Sequence, residues 1–150
     1  MTAELTGETM EAHIRAYFEA CNSGDPDRIA PYFEPDAVHY FPPGMYNGPF
    51  RGAATIAARW QDMVARIGSF WTIDRMLCHP QSRQAVIEWT HFKRKQGTML
   101  RGDEWYVFSQ RGLIAEIRAY YASPQDTSLE RLELGGFDYA GLGYPTTAPK

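Results

Sequence analysis

Four strand-like segments follow one another in the second half of the chain, separated only by short turns. They are rich in β-branched and aromatic residues and span residues 70–78, 84–95, 98–110 and 114–121. Gln96 and Gly97 fit a two-residue hairpin turn, and Gly112 supports a second tight turn. Because turns this short join only antiparallel neighbours, the pattern predicts an antiparallel sheet built as a meander.

Three helical patterns precede these strands, each with apolar residues three or four positions apart. They span residues 10–21, 26–33 and 56–67, and a short strand is predicted over 37–41. Gly24 and Gly68 follow the first and third patterns, where glycine readily adopts the left-handed conformation that ends a helix. Three helices before a run of strands predict an α+β fold, with the helices packed on one face of the sheet.

The chain has 150 residues, the size of one domain, and 44% of them are hydrophobic, so it can fold without a metal or a disulfide. Its net charge of −3 does not favour nucleic-acid binding, which usually requires a basic excess. Neither a membrane span nor a signal sequence is apparent, so a cytoplasmic protein is expected. We predict one domain over residues 1–124 and an extension over 125–150 that packs on the domain or on a partner.

Strand alternation brings a carboxylate and an imidazole, Glu104 and His91, onto the most apolar face of the sheet. The register that follows from pairing Lys95 with Thr98 places Ile87 opposite Tyr106, Trp89 opposite Glu104 and His91 opposite Gly102. A carboxylate on such a face must be paired, hydrogen-bonded or protonated. Aromatic residues form 14% of the chain, and their distribution over the two faces favours a ring-lined cavity and an interface over a uniformly filled core. The predicted ligand contacts are Trp60, Trp89, Tyr106, Ile117 and Tyr121.

Six parts of the chain carry a family resemblance: residues 17–25, 33–38, 51–56 and 104–108, the turn at Gly112, and residues 114–121. They resemble the NTF2-like superfamily, which includes nuclear transport factor 2, ketosteroid isomerases, SnoaL-like polyketide cyclases and scytalone dehydratase. The resemblance covers roughly residues 8–124 and is strongest to the SnoaL-like and ketosteroid-isomerase-like branch. It implies a cone in which three N-terminal helices pack on a curved antiparallel sheet. Because this fold hosts many chemistries, the resemblance predicts the fold more strongly than the activity.

The similarity to ketosteroid isomerases implies roles for Tyr17 and Glu104. Tyr17 falls at that family's oxyanion-hole tyrosine, and Glu104 falls at its protonated oxyanion-hole aspartate. The family's general base falls on Phe41, which cannot take a proton, and this argues against a steroid isomerase. His39 lies two residues earlier, on the same side of the predicted strand, and is the first candidate for the base. His91 is the second candidate, because an imidazole suits proton transfer near neutral pH.

Two functions remain open at this stage. The first is a cofactor-independent isomerase, cyclase or dehydratase that acts on a small apolar cyclic or aromatic carbonyl compound. The second is a ligand-binding or protein-interaction module without catalysis. The sequence has no metal-ligand spacing and no phosphate-binding loop, so neither a metal nor a cofactor is expected. The resemblance also implies a homodimer through the outer face of the sheet, where we expect Glu88, Arg101, Trp105, Arg118 and Tyr120.

Overall fold

The structure is a computed structural model and describes residues 4–121 and 134–143. The described residues form three α-helices and six strands. In chain order these are α1 (Gly7–Ser23), α2 (Pro26–Ile29), β1 (Phe33–Tyr40), β2 (Phe50–Arg51), α3 (Ala53–Ile67), β3 (Ser69–His79), β4 (Gln84–Lys93), β5 (Thr98–Phe108) and β6 (Ile114–Tyr121). The α+β class predicted from the sequence is confirmed.

Capping residues mark the start of α1 and the ends of α1 and α3. Thr6 and Thr9 form a reciprocal capping box at the start of α1, because each side chain accepts a hydrogen bond from the other's backbone N–H. Gly24 and Gly68 end α1 and α3 in the left-handed region, at φ 67° and φ 69°. The ends predicted for these two helices are therefore confirmed.

The second helix is shorter than the sequence predicts. It ends at Ile29 and continues only as a 3₁₀ turn over Ala30–Tyr32, so the prediction that it reaches Phe33 is wrong. Phe33 instead begins β1, which extends through Pro35 to Tyr40. The pairing of β1 with β6 is irregular between Phe33 and Val38, and a proline without an N–H is tolerated at such a break.

The sheet is mixed rather than antiparallel throughout. The strand order is β2-β1-β6-β5-β4-β3, and β3 to β6 form the predicted antiparallel meander. The first strand, however, pairs with β6 in parallel, and this pairing corrects the prediction of a purely antiparallel sheet. The long connection through β2, α3 and the meander makes the parallel pairing possible, because it carries the chain across the whole sheet before β6 forms.

The register between β4 and β5 is shifted by two residues from the prediction. Lys93, not Lys95, pairs with Thr98, because the hairpin closes through a four-residue turn over 94–97. The predicted partners are corrected to Ile87 with Glu104, Trp89 with Gly102, and His91 with Leu100. Because side chains alternate with a period of two, a shift by two leaves every side chain on its predicted face.

The core lies between the helices and the inner face of the sheet. A segment near the end of the chain also packs on the domain: Leu134 is buried, and the Gly135 N–H donates to the Phe41 carbonyl at 3.0 Å. The rest of the predicted extension, 125–133 and 144–150, and the predicted boundary at 124 lie outside the described residues. No helix within 4–121 and 134–143 is long and apolar enough to span a membrane.

Candidate active site

A small cavity opens between α1, α3 and the inner face of the sheet. Its walls are aromatic, with rings from Phe41, Tyr46, Trp60, Trp71, Trp89 and Tyr121. Neighbouring rings meet at steep angles, such as 61° between Trp60 and Trp71 and 85° between Trp89 and Tyr121, so they form walls rather than a filled stack. The cavity volume is about 30 Å³, which is room for about two water molecules.

Glu104 supplies the carboxylate of this cavity and is 9% exposed. The Tyr106 hydroxyl donates a hydrogen bond to Glu104 Oε2 at 2.5 Å. The other carboxylate oxygen, Oε1, lies 3.5 Å from His39 Nε2. One oxygen is therefore fixed by a short hydrogen bond, while the other lies beside the buried imidazole of His39.

His39 lies behind Glu104 and is fully buried. Its ring stacks on Phe41, with centroids 4.2 Å apart and planes 8° apart, and meets the edge of Trp60. Neither ring nitrogen has a hydrogen-bond partner among the described residues. Because His39 is not one of the residues that line the cavity, it reaches a ligand only through Glu104.

Tyr17 projects from α1 into the same cavity. Its hydroxyl oxygen accepts a hydrogen bond from Trp60 Nε1 at 2.9 Å. Burial, with a smaller contribution from the Glu104 carboxylate, raises the pKa of Tyr17 well above its usual value. The phenol therefore stays protonated near neutral pH, and its O–H can donate a hydrogen bond to a ligand oxygen.

His91 lies elsewhere on the cavity wall and is held on two sides. Its Nε2 lies 2.8 Å from Ser69 Oγ, and its ring stacks on Trp71 with centroids 4.7 Å apart. Burial, with a smaller contribution from the Lys93 charge, lowers the pKa of His91 to about 4. The imidazole is therefore neutral near pH 7 and is a weak proton acceptor there.

The structure brings most of the sequence-predicted residues to this cavity. Of the predicted ligand contacts, Trp60, Trp89 and Tyr121 line it. Tyr106 and Ile117 are fully buried and do not line it, although Tyr106 holds Glu104.

Other lining residues were missed by sequence reasoning. Trp71 pairs with His91 across β3 and β4, so predicting that strand pairing would have found it. Tyr46 comes from the loop between β1 and β2, whose path has no periodic signal in the sequence.

The described residues contain no group of three or more His, Cys, Asp or Glu side chains arranged to hold a metal ion. Cys21 and Cys78 are both free thiols. Cys21 lines the cavity, but burial raises the pKa of its thiol, so it is not an activated nucleophile.

The model of the SnoaL-like domain matches residues 14–117, and the chain belongs to that family. No curated protein matched the chain.

Solved structures match over most of the chain. A protein of unknown function with a cystatin-like fold from Methylobium petroleophilum PM1 is 52% identical, with a TM-score of 0.93 over 99% of this chain and 98% of that one. A provisional ketosteroid isomerase from Kribbella flavida is 17% identical, with a TM-score of 0.67 over 84% and 87%. A provisional polyketide cyclase from Sinorhizobium meliloti is 18% identical, with a TM-score of 0.62 over 75% and 98%. The last two show a shared fold, which is the NTF2-like cone.

Proposed function

We propose that this protein is a cofactor-independent enzyme that transfers protons on a small, apolar carbonyl compound bound in the cavity. One observation carries the proposal. Glu104 lines the cavity, its Oε1 lies 3.5 Å from a buried imidazole, and neither nitrogen of that imidazole has a hydrogen-bond partner among the described residues. Buried polar atoms are nearly always paired, so a carboxylate and an imidazole kept together in this state favour a chemical role.

Glu104, rather than His39, exchanges the proton with the substrate in this proposal, because Glu104 borders the cavity and His39 does not. Glu104 Oε1 removes a proton from the carbon next to the substrate carbonyl and returns it to a second position. His39 acts through Glu104 as a positioning residue, and its Nε2 can hold the proton between the two steps. The Tyr106 hydroxyl fixes the other carboxylate oxygen and so orients Oε1.

The substrate oxygen is stabilised by Tyr17. Its protonated phenol donates a hydrogen bond to the negative charge that develops on the carbonyl oxygen as the proton leaves. Trp60 Nε1 holds the Tyr17 oxygen at 2.9 Å and so sets the direction of that donor. His91 is neutral near pH 7, and its proposed part is to bind the substrate rather than to act as the base.

The size of the cavity limits the substrate. Because about 30 Å³ holds only about two water molecules, a cyclic ligand must displace part of the wall. Tyr46 is one part of the wall that can be displaced without moving a helix or strand, since it lies on the loop between β1 and β2. Compact cyclic ketones are therefore the substrates to test first.

Exchange of carbon-bound hydrogen for deuterium tests this proposal. A panel of small cyclic ketones and enones is incubated with the protein in D₂O, and deuterium beside the carbonyl is followed by NMR. We expect catalysed exchange that falls about 100-fold or more in Glu104→Gln, because general acid–base groups contribute at least that much. Glu88→Gln is the matched control, since Glu88 lies exposed on the neighbouring strand and should leave exchange unchanged.

Two results would contradict the proposal. Exchange that is equally fast in Glu104→Gln would exclude Glu104 as the group that moves the proton. Tight ligand binding without any exchange would identify the alternative, a binding module of the same fold.

We also propose a homodimer through the outer face of the sheet. Leu77 is 74% exposed and Trp105 is 40% exposed, and both lie in one row of residues across β3, β4 and β5. Glu88, Asp103 and Arg101 give the same face both signs of charge, so it can pair with a second copy about a two-fold axis.

Light scattering coupled to size exclusion tests the dimer. We expect a dimer at micromolar concentration that dissociates in Leu77→Asp. Leu142→Asp serves as the control, since Leu142 is 62% exposed but lies outside the sheet. A monomeric wild-type protein would refute the proposal.

A further inference from the structure

Two tryptophans on the cavity wall differ in how their indole N–H groups are used. Trp60 Nε1 donates to the Tyr17 hydroxyl at 2.9 Å. Trp89 is 3% exposed, and its Nε1 has no hydrogen-bond partner among the described residues. Of these two indole donors, the one on Trp60 is satisfied and the one on Trp89 is not.

The backbone keeps the Trp89 ring in this position. Trp89 pairs with Gly102, where an added Cβ would lie 2.7 Å from Trp89 Cζ2 and 2.1 Å from the Tyr120 carbonyl oxygen. The ring thus lies directly over a residue that has no side chain. On another side it meets Tyr121 edge to face, with centroids 5.4 Å apart. A ring enclosed in this way cannot easily turn to find another acceptor.

A buried donor without an acceptor destabilises a folded protein, and native structures leave few of them. We propose that Trp89 is a specificity-determining residue that donates its indole N–H to a second acceptor atom of the ligand. The cavity would then select carbonyl compounds that carry another oxygen on the same apolar frame. This inference rests on the proposed function, because it takes the first acceptor to be the carbonyl oxygen held by Tyr17.

The charge of the cavity narrows the chemistry of the second acceptor. No Lys or Arg side chain lines the described cavity, and Glu104 is its acidic residue. A carboxylate or phosphate on the ligand would meet no compensating charge there and would be repelled by an ionised Glu104. The second acceptor is therefore a neutral oxygen, such as a ketone, hydroxyl or ether.

Paired phenols test this inference, because a phenol resembles the enol of the proposed substrate. The probes are the ortho, meta and para hydroxybenzaldehydes and the matching vinylphenols, in which a CH₂ replaces the aldehyde oxygen. Dissociation constants are measured by calorimetry for wild type and Trp89→Phe, and the quantity compared is the affinity ratio within each pair. Intrinsic differences between aldehyde and vinyl compounds cancel when this ratio is compared between the two proteins.

We expect at least one aldehyde isomer to bind the wild type about tenfold more tightly than its vinyl partner, the effect of one good buried hydrogen bond. This gain should disappear in Trp89→Phe. Trp105→Phe, which removes an indole N–H from the outer face, should leave both affinities unchanged. Trp60→Phe should weaken both members of a pair equally, because its N–H acts through Tyr17.

The possible failures are distinguishable. If phenols bind and lose affinity in Tyr17→Phe, but no aldehyde gains through Trp89, the inference about Trp89 is wrong and the proposed function is unaffected. If no phenol binds the wild type, the proposed function loses its support and this inference falls with it.

A second measurement does not depend on the folding of Trp89→Phe. The chain has four tryptophans, so NMR resolves four indole N–H signals. On addition of the favoured aldehyde to wild type, the Trp89 proton should move downfield, as expected for a new hydrogen bond, and the vinyl partner should not cause this shift. An unchanged Trp89 signal with the aldehyde bound would overturn the inference.

Discussion

Trp89 and Trp105 lie on neighbouring strands but on opposite faces of the sheet, and their indole N–H groups differ in hydrogen bonding. Trp105 is partly exposed, and its Nε1 donates to Gln84 Oε1 at 2.7 Å. Trp89 is buried, and its Nε1 has no partner among the described residues. The indole N–H on the inner face is thus unsatisfied although water has little access to it, whereas the indole N–H on the outer face is hydrogen-bonded although water could replace its partner.

The carboxylates of β5 repeat this contrast. Asp103 is exposed on the outer face, where solvent compensates its charge. Glu104 is buried on the inner face, between the hydroxyl of Tyr106 and the His39 imidazole, whose nitrogens have no hydrogen-bond partner within the part of the chain that the structure describes. Unsatisfied polar groups that gather on the side with the greater desolvation cost favour a ligand site there over a purely structural core.

Gly102→Ala should have the largest effect on this contrast. The new Cβ would lie 2.1 Å from the Tyr120 carbonyl oxygen, and backbone cannot move aside as a flexible side chain can. We expect a loss of about 3 kcal/mol or more in the free energy of unfolding, measured by urea denaturation. Asp103→Ala on the outer face should change it by less than about 0.5 kcal/mol. A tolerated alanine at residue 102 would mean that Trp89 is not held as described.

Acidification should destabilise the inner face through His91. Its pKa in the folded protein is lowered to about 4 from 6.5, so the unfolded chain binds a proton first as the pH falls. The free energy of unfolding should therefore decrease between about pH 6.5 and pH 4, by about 3 kcal/mol at most. Denaturation across this range should show a weaker decrease in His91→Gln and an unchanged one in the exposed control His79→Gln. Equal slopes in all three proteins would contradict the burial of His91.

Trp60→Phe and Trp105→Phe compare the same substitution on the two sides of the sheet. Trp60→Phe removes a buried hydrogen bond to Tyr17 and leaves a small void, so we expect a loss of about 2 kcal/mol in thermal or urea unfolding. Trp105→Phe removes a partly exposed bond that water can replace, and should cost less than about 0.5 kcal/mol. Equal losses would show that the two faces do not differ in this respect.

Thr90→Val should give the smallest measurable loss in the free energy of unfolding, and it tests a hydrogen bond on the outer face. Thr90 is buried beneath that face, and its hydroxyl donates to Asp74 Oδ2 at 2.6 Å. We expect a loss of about 1 kcal/mol in urea unfolding, typical of a single hydrogen bond. Thr72→Val is the control, because Thr72 bonds the other Asp74 oxygen at a more exposed position and should cost less. A stabilised Thr90→Val would mean that this bond contributes nothing.

The sequence predicted the fold and the faces better than the register and the contacts. Glu104, Trp89 and His91 were assigned to the correct face although the hairpin was two residues out of register, because a period of two hides an even shift. The start of β1 at Phe33 was missed, since Pro35 masks a strand when its pairing partner is unknown. The parallel pairing of β1 with β6 joins residues far apart in the chain, and local periodicity carries no information about it.

The site was predictable only in part for a related reason. Tyr17 and Glu104 were found by resemblance, but the bonds from Trp60 to Tyr17 and from Tyr106 to Glu104 depend on side-chain directions that a single sequence does not encode. The position of His39 behind Glu104 likewise depends on side-chain packing, because the His39 ring stacks on Phe41.

The hydrogen bond from the Gly135 N–H to the Phe41 carbonyl bears on how much of the chain is needed to shape the cavity. Phe41 lines the cavity and stacks on His39, yet its carbonyl is held by a residue beyond the family match, which ends at residue 117. A recombinant protein trimmed to the matched family region would keep Glu104 and His39 but lose the backbone bond to Phe41, whose ring lies beside His39. The region that matches the family is thus shorter than the part of the chain that shapes the cavity.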